Sequence, residues 1–227
     1  MTPIPPSAIL SLFQAGYPVR LVFGMCVRTI NDLDNHSVDP SWAREADPDF
    51  KRLVEALEKM QREGGIAMRV EQSDDGDTII MALRRKRVRK QDAIEVARLL
   101  GIDPSAAEYH VTYGAVARSK QEIAIQTRSI FEIMVELSAW VRPPSEHLLK
   151  GFVSTVDTAG VDEQFRVQSG ISRPDEAYTA VRYLDHWFWI AQDDEKSKVE
   201  FVFLMLLFSL VETREGHTAP IVTVPVR

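Results

Sequence analysis

The densest charge in the sequence is the run RRKRVRK, where Arg84, Arg85, Lys86, Arg87, Arg89 and Lys90 place six basic residues in seven. Such a run has the electrostatics of a phosphate-binding surface, because every cation that neutralises a phosphate releases condensed counterions. Its ordinary alternative is a solvated strand end. The aromatic run His186, Trp187, Phe188 and Trp189 is a second candidate. Alternation along a strand puts Trp187 and Trp189 on one face, where indoles can stack on a base, a sugar or a partner surface. If both faces are covered, the same residues are core.

Other reactive residue types lack the spacing for chemistry. His36, His110, His147, His186 and His217 form no H-x-x-x-H or H-E-x-x-H pattern, so each reads as a lone surface or strand residue. Asp193, Asp194 and Glu195 are adjacent and cannot converge on one cation without bending the chain; they read as a helix cap. Cys26 is the single cysteine, which excludes an intrachain disulfide, and its apolar helical position reads as a core thiol. The sequence holds no GxSxG, P-loop or GxGxxG motif, and neither a metal site nor a cofactor is expected. An enzyme would need a site assembled from distant residues such as Arg118, Arg128, Arg182 and His186.

The elements that must position these groups follow from periodicity. The chain has 227 residues, 45% hydrophobic and 26% charged, with net charge −6, which suits a folded globular protein and not one that coats nucleic acid over its whole surface. Ser7 is placed to cap a first helix ending at Gly16, and Pro18 opens a second carrying Val19, Val22, Phe23, Cys26 and Ile30. Residues 31 to 49 read as an acidic loop. Asp47 and Pro48 start a helix with the stripe Phe50, Leu53, Val54, Leu57 and Met60, supported by the pairs Glu55 with Lys59 and Glu58 with Arg62. IAMRVEQ and TIIMAL around SDDGD predict a β-hairpin, followed by a helix stopped at Gly101 and a strand from Tyr109 to Tyr113.

Ser119 and Glu122 match a capping box, which predicts one long helix from 119 to 141 ended by Pro143 and Pro144. SEHLLKG reads as a further helical turn. Phe165 to Gln168, Ala177 to Tyr183 and HWFWI predict strands, the last two joined by a reversal at Leu184 and Asp185. Asp193 or Asp194 caps an apolar helix, 194 to 212, whose run FVFLMLLF is too short to span a bilayer and reads as core. IVTVPV predicts an edge strand. The result is an α+β protein with a mixed, mainly antiparallel sheet packed against long helices, an N-terminal helical pair and a β-hairpin. It forms one unit over 1–227, with a loose subdivision into 1–142 and 143–227.

Three stretches together resemble a bacterial envelope lipoprotein family of no assigned activity. They are TPIPPSAILSLFQAGYPVRLVFGMCVRTIND, EIAIQTRSIFEIMVELS (Glu122 to Ser138) and AVRYLDHWFWIAQDDEKSKVEFVFLMLLFSL (Ala180 to Leu210). Longer members of that family carry a signal peptide, a lipidated cysteine and a segment ahead of the TPIP stretch, at which this chain starts. The resemblance implies a non-enzymatic interaction or scaffold module of the cell envelope, periplasmic or membrane-anchored, with a protein partner and no catalytic residue to carry over. Without the resemblance a soluble chain of this kind reads as cytoplasmic. The alternative function is a winged-helix-like nucleic-acid binder that uses Arg84 to Lys90 and takes the hairpin as its wing.

Overall fold

The computed structural model describes residues 2–215, apart from 40, 41, 74, 75, 85, 160 and 164. The expected helical pair is present as α1 (Pro6–Gln14) and α2 (Val19–Cys26). Pro5, not Ser7, occupies the N-cap of α1, and Pro6 fills the first turn, where its missing N–H costs nothing. The end of α2 passes directly into β1 (Val27–Ile30). Ile30, expected on the helix, therefore lies on a strand, as the β-branched Val27, Thr29 and Ile30 favour.

The stretch expected to be an acidic loop holds three short strands: β2 (Leu33–Asp34), β3 (Ser37–Asp39) and β4 (Trp42–Arg44). Asn31 and Asp32 join β1 to β2 with φ of 43° and 64°, the left-handed pair of a tight hairpin turn that Asn and Asp tolerate. α3 (Pro48–Arg62) buries the predicted stripe of Phe50, Leu53, Val54, Leu57 and Met60. Glu58 lies 3.5 Å from Arg62 as expected, but Lys59 reaches across to Asp92 at 2.6 Å instead of Glu55. The hairpin β5 (Ile66–Ser73) and β6 (Gly76–Leu83) leads to α4 (Lys90–Leu100), which Gly101 ends at φ 65°.

After β7 (Glu108–Tyr113) the single helix expected from 119 to 141 is replaced by a strand and a shorter helix, β8 (Glu122–Thr127) and α5 (Ile130–Ser138). Glu122 does not cap; its carboxylate accepts from the Thr112 hydroxyl and the Arg118 amide, both at 2.7 Å. The working capping box lies ten residues on: Ser129 Oγ accepts from the Glu132 amide at 3.2 Å, and Glu132 Oε2 from the Ser129 amide at 2.7 Å. Both sites read S-x-x-E. EIAIQT becomes a strand because β1 and β7 flank it on both sides and bury its alternating faces.

α6 (Ser145–Leu149) is followed by β9 (Gln168–Gly170), β10 (Ala177–Tyr183), β11 (His186–Ala191) and α7 (Glu195–Glu215). β1, β2 and β5 to β8 form a six-stranded sheet, order β2-β1-β8-β7-β6-β5, antiparallel except for the β7–β8 pair. β10-β11-β9 form a second, antiparallel sheet, and β3 and β4 a third. The class is the expected α+β. Buried apolar residues from Ile4 to Leu207 make one cluster that draws on both sides of residue 143.

Leu184 and Asp185 turn the β10–β11 hairpin with φ of 45° and 63°. Asp194 caps α7, accepting the Ser197 amide at 3.1 Å and its hydroxyl at 2.9 Å. Phe203 and Leu207 are 1% exposed, whereas Val199, Val202 and Met205 on the other side are each about half exposed. Among the described residues no helix is long and apolar enough to cross a membrane. The strand expected at IVTVPV lies outside the described residues.

Candidate functional site

A cleft of about 680 Å³ opens between α2, α3, α5 and α7, a size suited to a small-molecule ligand. Leu21, Phe50, Val54, Ile133, Leu137 and Val199 give it apolar walls. Its floor is built at the C-terminal end of α2, whose last carbonyls have no partner within the helix. Arg128 leaves β8 and donates through Nη1 to the carbonyls of Gly24 at 2.8 Å and Met25 at 3.1 Å, and through Nη2 to that of His36. The Asn35 amide nitrogen donates to the carbonyls of Phe23, Gly24 and Val27 at 2.8 to 3.2 Å. Two side chains distant in sequence thus close one helix end.

The same residues fix the acid–base groups. With its nitrogen fully engaged, Asn35 presents Oδ1 to His36 Nδ1 at 2.8 Å, which makes Nδ1 the protonated nitrogen. His36 Nε2 then faces Glu136 Oε1 at 3.3 Å, and Glu136 Oε2 meets Arg128 at 3.0 Å. Burial, helped by the Arg128 charge, drops His36 to about 3. Burial pushes Glu136 up to about 7 against the pull of Arg128. Below that pH the protonated carboxyl can donate to the neutral imidazole. His36 is not the lone surface residue expected: it is half-buried, with Nδ1 held by Asn35 and Nε2 facing Glu136.

Two polar atoms beside the cleft are left over. Among the described residues, Trp140 Nε1 and Glu200 Oε2 are buried without a hydrogen-bond partner, and both residues line the cleft. Trp140 is 7% and Glu200 8% exposed. Burial lifts Glu200 to about 7, with Lys196 pulling the other way. Native structures rarely leave such atoms unpaired.

No protein-family model, no curated protein and no solved structure matches this chain. The site is therefore read from its own geometry.

The basic run lies between β6 and α4. Arg84, Lys86, Arg87, Arg89 and Lys90 are exposed, and Arg85 lies outside the described residues. Val88 in the middle is buried and packs on Gly65, where a Cβ would come within 2.1 Å of it. The Arg84 amide donates to the Gly65 carbonyl at 2.7 Å, and Arg89 lies 3.9 Å from Glu63. The run thus folds over the C-terminal end of α3, where the helix dipole favours cations. The hairpin that the winged-helix reading takes as a wing is part of the six-stranded sheet through β6 and β7.

Trp187 and Trp189 sit half-buried on β11, the central strand of its sheet, with the Arg173 guanidinium 5.5 Å from the Trp187 ring and Gly170 against Trp189. On the opposite face His186 meets His147, with ring centroids 4.8 Å apart and both residues buried. These two were expected to be isolated, and the 38 residues between them hide the pairing from sequence. Arg118, Arg128, Arg182 and His186 do not share a site: Arg128 lies in the cleft floor, Arg182 pairs with Asp185 at 2.9 Å, and His186 packs on His147. Cys26 is fully buried, and burial pushes its thiol up to about 12. Glu136, Trp140 and Glu200 escaped sequence reading, although one carboxylate inside the apolar run after Lys198 was a visible signal.

The displaced carboxyl of Glu200 has a measurable consequence. Its folded pKa lies above its unfolded one, so between about 4.5 and about 7 the folded state holds a proton that the unfolded state has lost. Stability contributed by this group therefore falls as pH rises through that window. At 1.36 kcal/mol per unit the full effect is on the order of 3 kcal/mol. Denaturant unfolding at pH 5 and pH 8 should show the wild type losing about that much more than Glu200→Gln. Equal losses would mean that the carboxylate is hydrated. Glu136 shifts both proteins alike, and His36, with its depressed pKa, acts with the opposite sign in both.

Proposed function

We propose that this protein is a non-enzymatic interaction module that holds an apolar-bodied ligand in the cleft between α2, α3, α5 and α7. The observation that carries this reading is a cleft of about 680 Å³ whose apolar walls adjoin the buried carboxyl of Glu200, which meets no described donor at Oε2. A buried carboxyl short of partners costs stability, and a bound ligand that pairs with it offsets that cost. The remaining ionisable groups of the floor are already engaged. His36 is neutral, with Nδ1 held by Asn35 and Nε2 facing Glu136, Arg128 is occupied by carbonyls and Glu136, and the Cys26 thiol is sealed in the core. Recognition suits this arrangement better than proton transfer.

Gly24 supplies the test. It lines the cleft from α2, and a Cβ there would meet no atom within 4 Å. Gly24→Leu should fold with equal or greater stability, since glycine inside a helix costs roughly 0.5–1 kcal/mol. It should also abolish uptake of a neutral solvatochromic dye measured by fluorescence titration. A folded Gly24→Leu protein that still takes up the dye would sink the reading.

The resemblance of the TPIP stretch and the C-terminal block supports placing the module in the bacterial envelope. Fractionation of the source cells should then recover it with the envelope or periplasm; recovery only with cytosolic markers would remove that part of the proposal.

A further inference from the structure

We infer that the ligand of this cleft is a small organic cation: an amine on an apolar body. The inference rests on the cleft being a ligand site and adds the ligand's class. It comes from which charges in the cleft the protein itself has already neutralised.

Six carboxylates line the cleft, Glu55, Glu58, Glu136, Asp162, Glu195 and Glu200, against three fixed cations, Arg20, Lys51 and Lys196. Most of these charges are paired. Glu58 lies 3.5 Å from both Arg20 and Arg62, Glu136 meets Arg128, Lys51 meets Glu45 and Asp162, and Glu195 meets Lys198 at 2.5 Å. Lys196 donates to the backbone carbonyl of Glu163 at 2.5 Å. Glu200 is the buried carboxylate left over, with one oxygen facing no donor among the described residues.

An anionic ligand would bring a second negative charge beside this group in a desolvated space, which is costly. A neutral ligand could hydrogen-bond to it but would leave the charge offset only by Lys196 on the preceding turn. An ammonium would supply both the donor and the counter-charge, and charge-assisted hydrogen bonds of this kind are the stronger ones. The aromatic faces of Phe50 and Trp140, both in the lining, suit a cation as well. The apolar walls and the cleft volume leave room for a hydrophobic body.

The experiment uses three probes of matched body: phenylalaninol as the cation, N-acetylphenylalaninol as the neutral analogue and N-acetylphenylalanine as the anion. Each is titrated at pH 8 by calorimetry and by displacement of the neutral dye. Phenylalaninol should bind at least tenfold more tightly than either of the others. Glu200→Gln should lose at least tenfold for the amine and leave the neutral analogue unchanged. Amine affinity should also rise from pH 6 to pH 8 in the wild type. The charged and titratable groups around the cleft besides Glu200 are Asp194, Glu195 and Lys196 on its own side and Arg20, His36, Lys51, Glu55, Glu58, Glu136 and Asp162 across it. Any part of the pH dependence that Glu136 contributes persists in Glu200→Gln and is subtracted with it.

Preferential binding of the neutral or anionic probe, with the dye displaced, would overturn the cation class and leave the cleft as a binding site. A dye that no probe displaces, together with dye uptake that Gly24→Leu does not reduce, would overturn the site and the class together. Dye that Gly24→Leu blocks but that no probe displaces would overturn the class alone.

Discussion

Replacing Arg128 with methionine is expected to lower the stability of the fold by about 3–5 kcal/mol, the range for removing one partner of a buried ion pair. The Arg128 side chain is buried yet ties together four elements of the chain. It closes the C-terminal end of α2 through the Gly24 and Met25 carbonyls, holds the His36 carbonyl ahead of β3, and meets Glu136 on α5. Methionine would fill the space of the stem and leave those acceptors in a dry interior. Gly24 keeps a second donor from Asn35, whereas no second donor reaches the Met25 carbonyl among the described bonds. Urea unfolding is the measurement. A loss below about 1 kcal/mol would mean that water reaches these carbonyls and that the floor of the cleft is not sealed. Adding Glu136→Leu to Arg128→Met should recover part of the loss, because the lone carboxylate is then gone.

The second large effect separates the two sides of α7. Phe203→Ala should cost about 3–5 kcal/mol, as for other large aromatic side chains removed from a packed core. Phe203 is 1% exposed and its ring lies 5.8 Å from that of Tyr17, in the turn between α1 and α2. The contact joins the C-terminal helix to the N-terminal pair, so the cavity would open where distant parts of the chain meet. Val202→Ala, one residue earlier and 52% exposed, should cost less than about 1 kcal/mol. Matched losses at the two positions would show that α7 does not pack as described.

These two substitutions also mark where sequence reading succeeded and where it failed. The stripe of α3 was legible because its five apolar residues recur at helical spacing with polar residues between them, and all five are buried. The β10–β11 hairpin was legible from alternation and a two-residue reversal. In α7 the apolar residues run all round the helix, so periodicity carries no information about which side meets the core. Only packing against Tyr17 and its neighbours distinguishes Phe203 from Val202. The segment 119–141 failed for a related reason: S-x-x-E occurs at Ser119 and again at Ser129, and local chemistry cannot choose between them. Pairing of Glu122–Thr127 with β1 and β7 decides it.

The cleft was hidden for a stronger reason. Its floor joins Gly24, Asn35, Arg128 and Glu136, and its unpartnered atoms come from Trp140 and Glu200. None of these residues is unusual for its type or forms a motif with its neighbours.

What this sequence determines by itself is local: the α+β class, most element positions, the turn at Leu184–Asp185, and the isolation of its one thiol. Those follow from periodicity and backbone preference over a few residues. Tertiary structure decides which carboxylate is buried, which histidine is neutral and which charge remains unpaired. Desolvation and hydrogen-bond satisfaction depend on what surrounds a group in space, and for Arg128 and Glu200 that surrounding comes from segments tens of residues away.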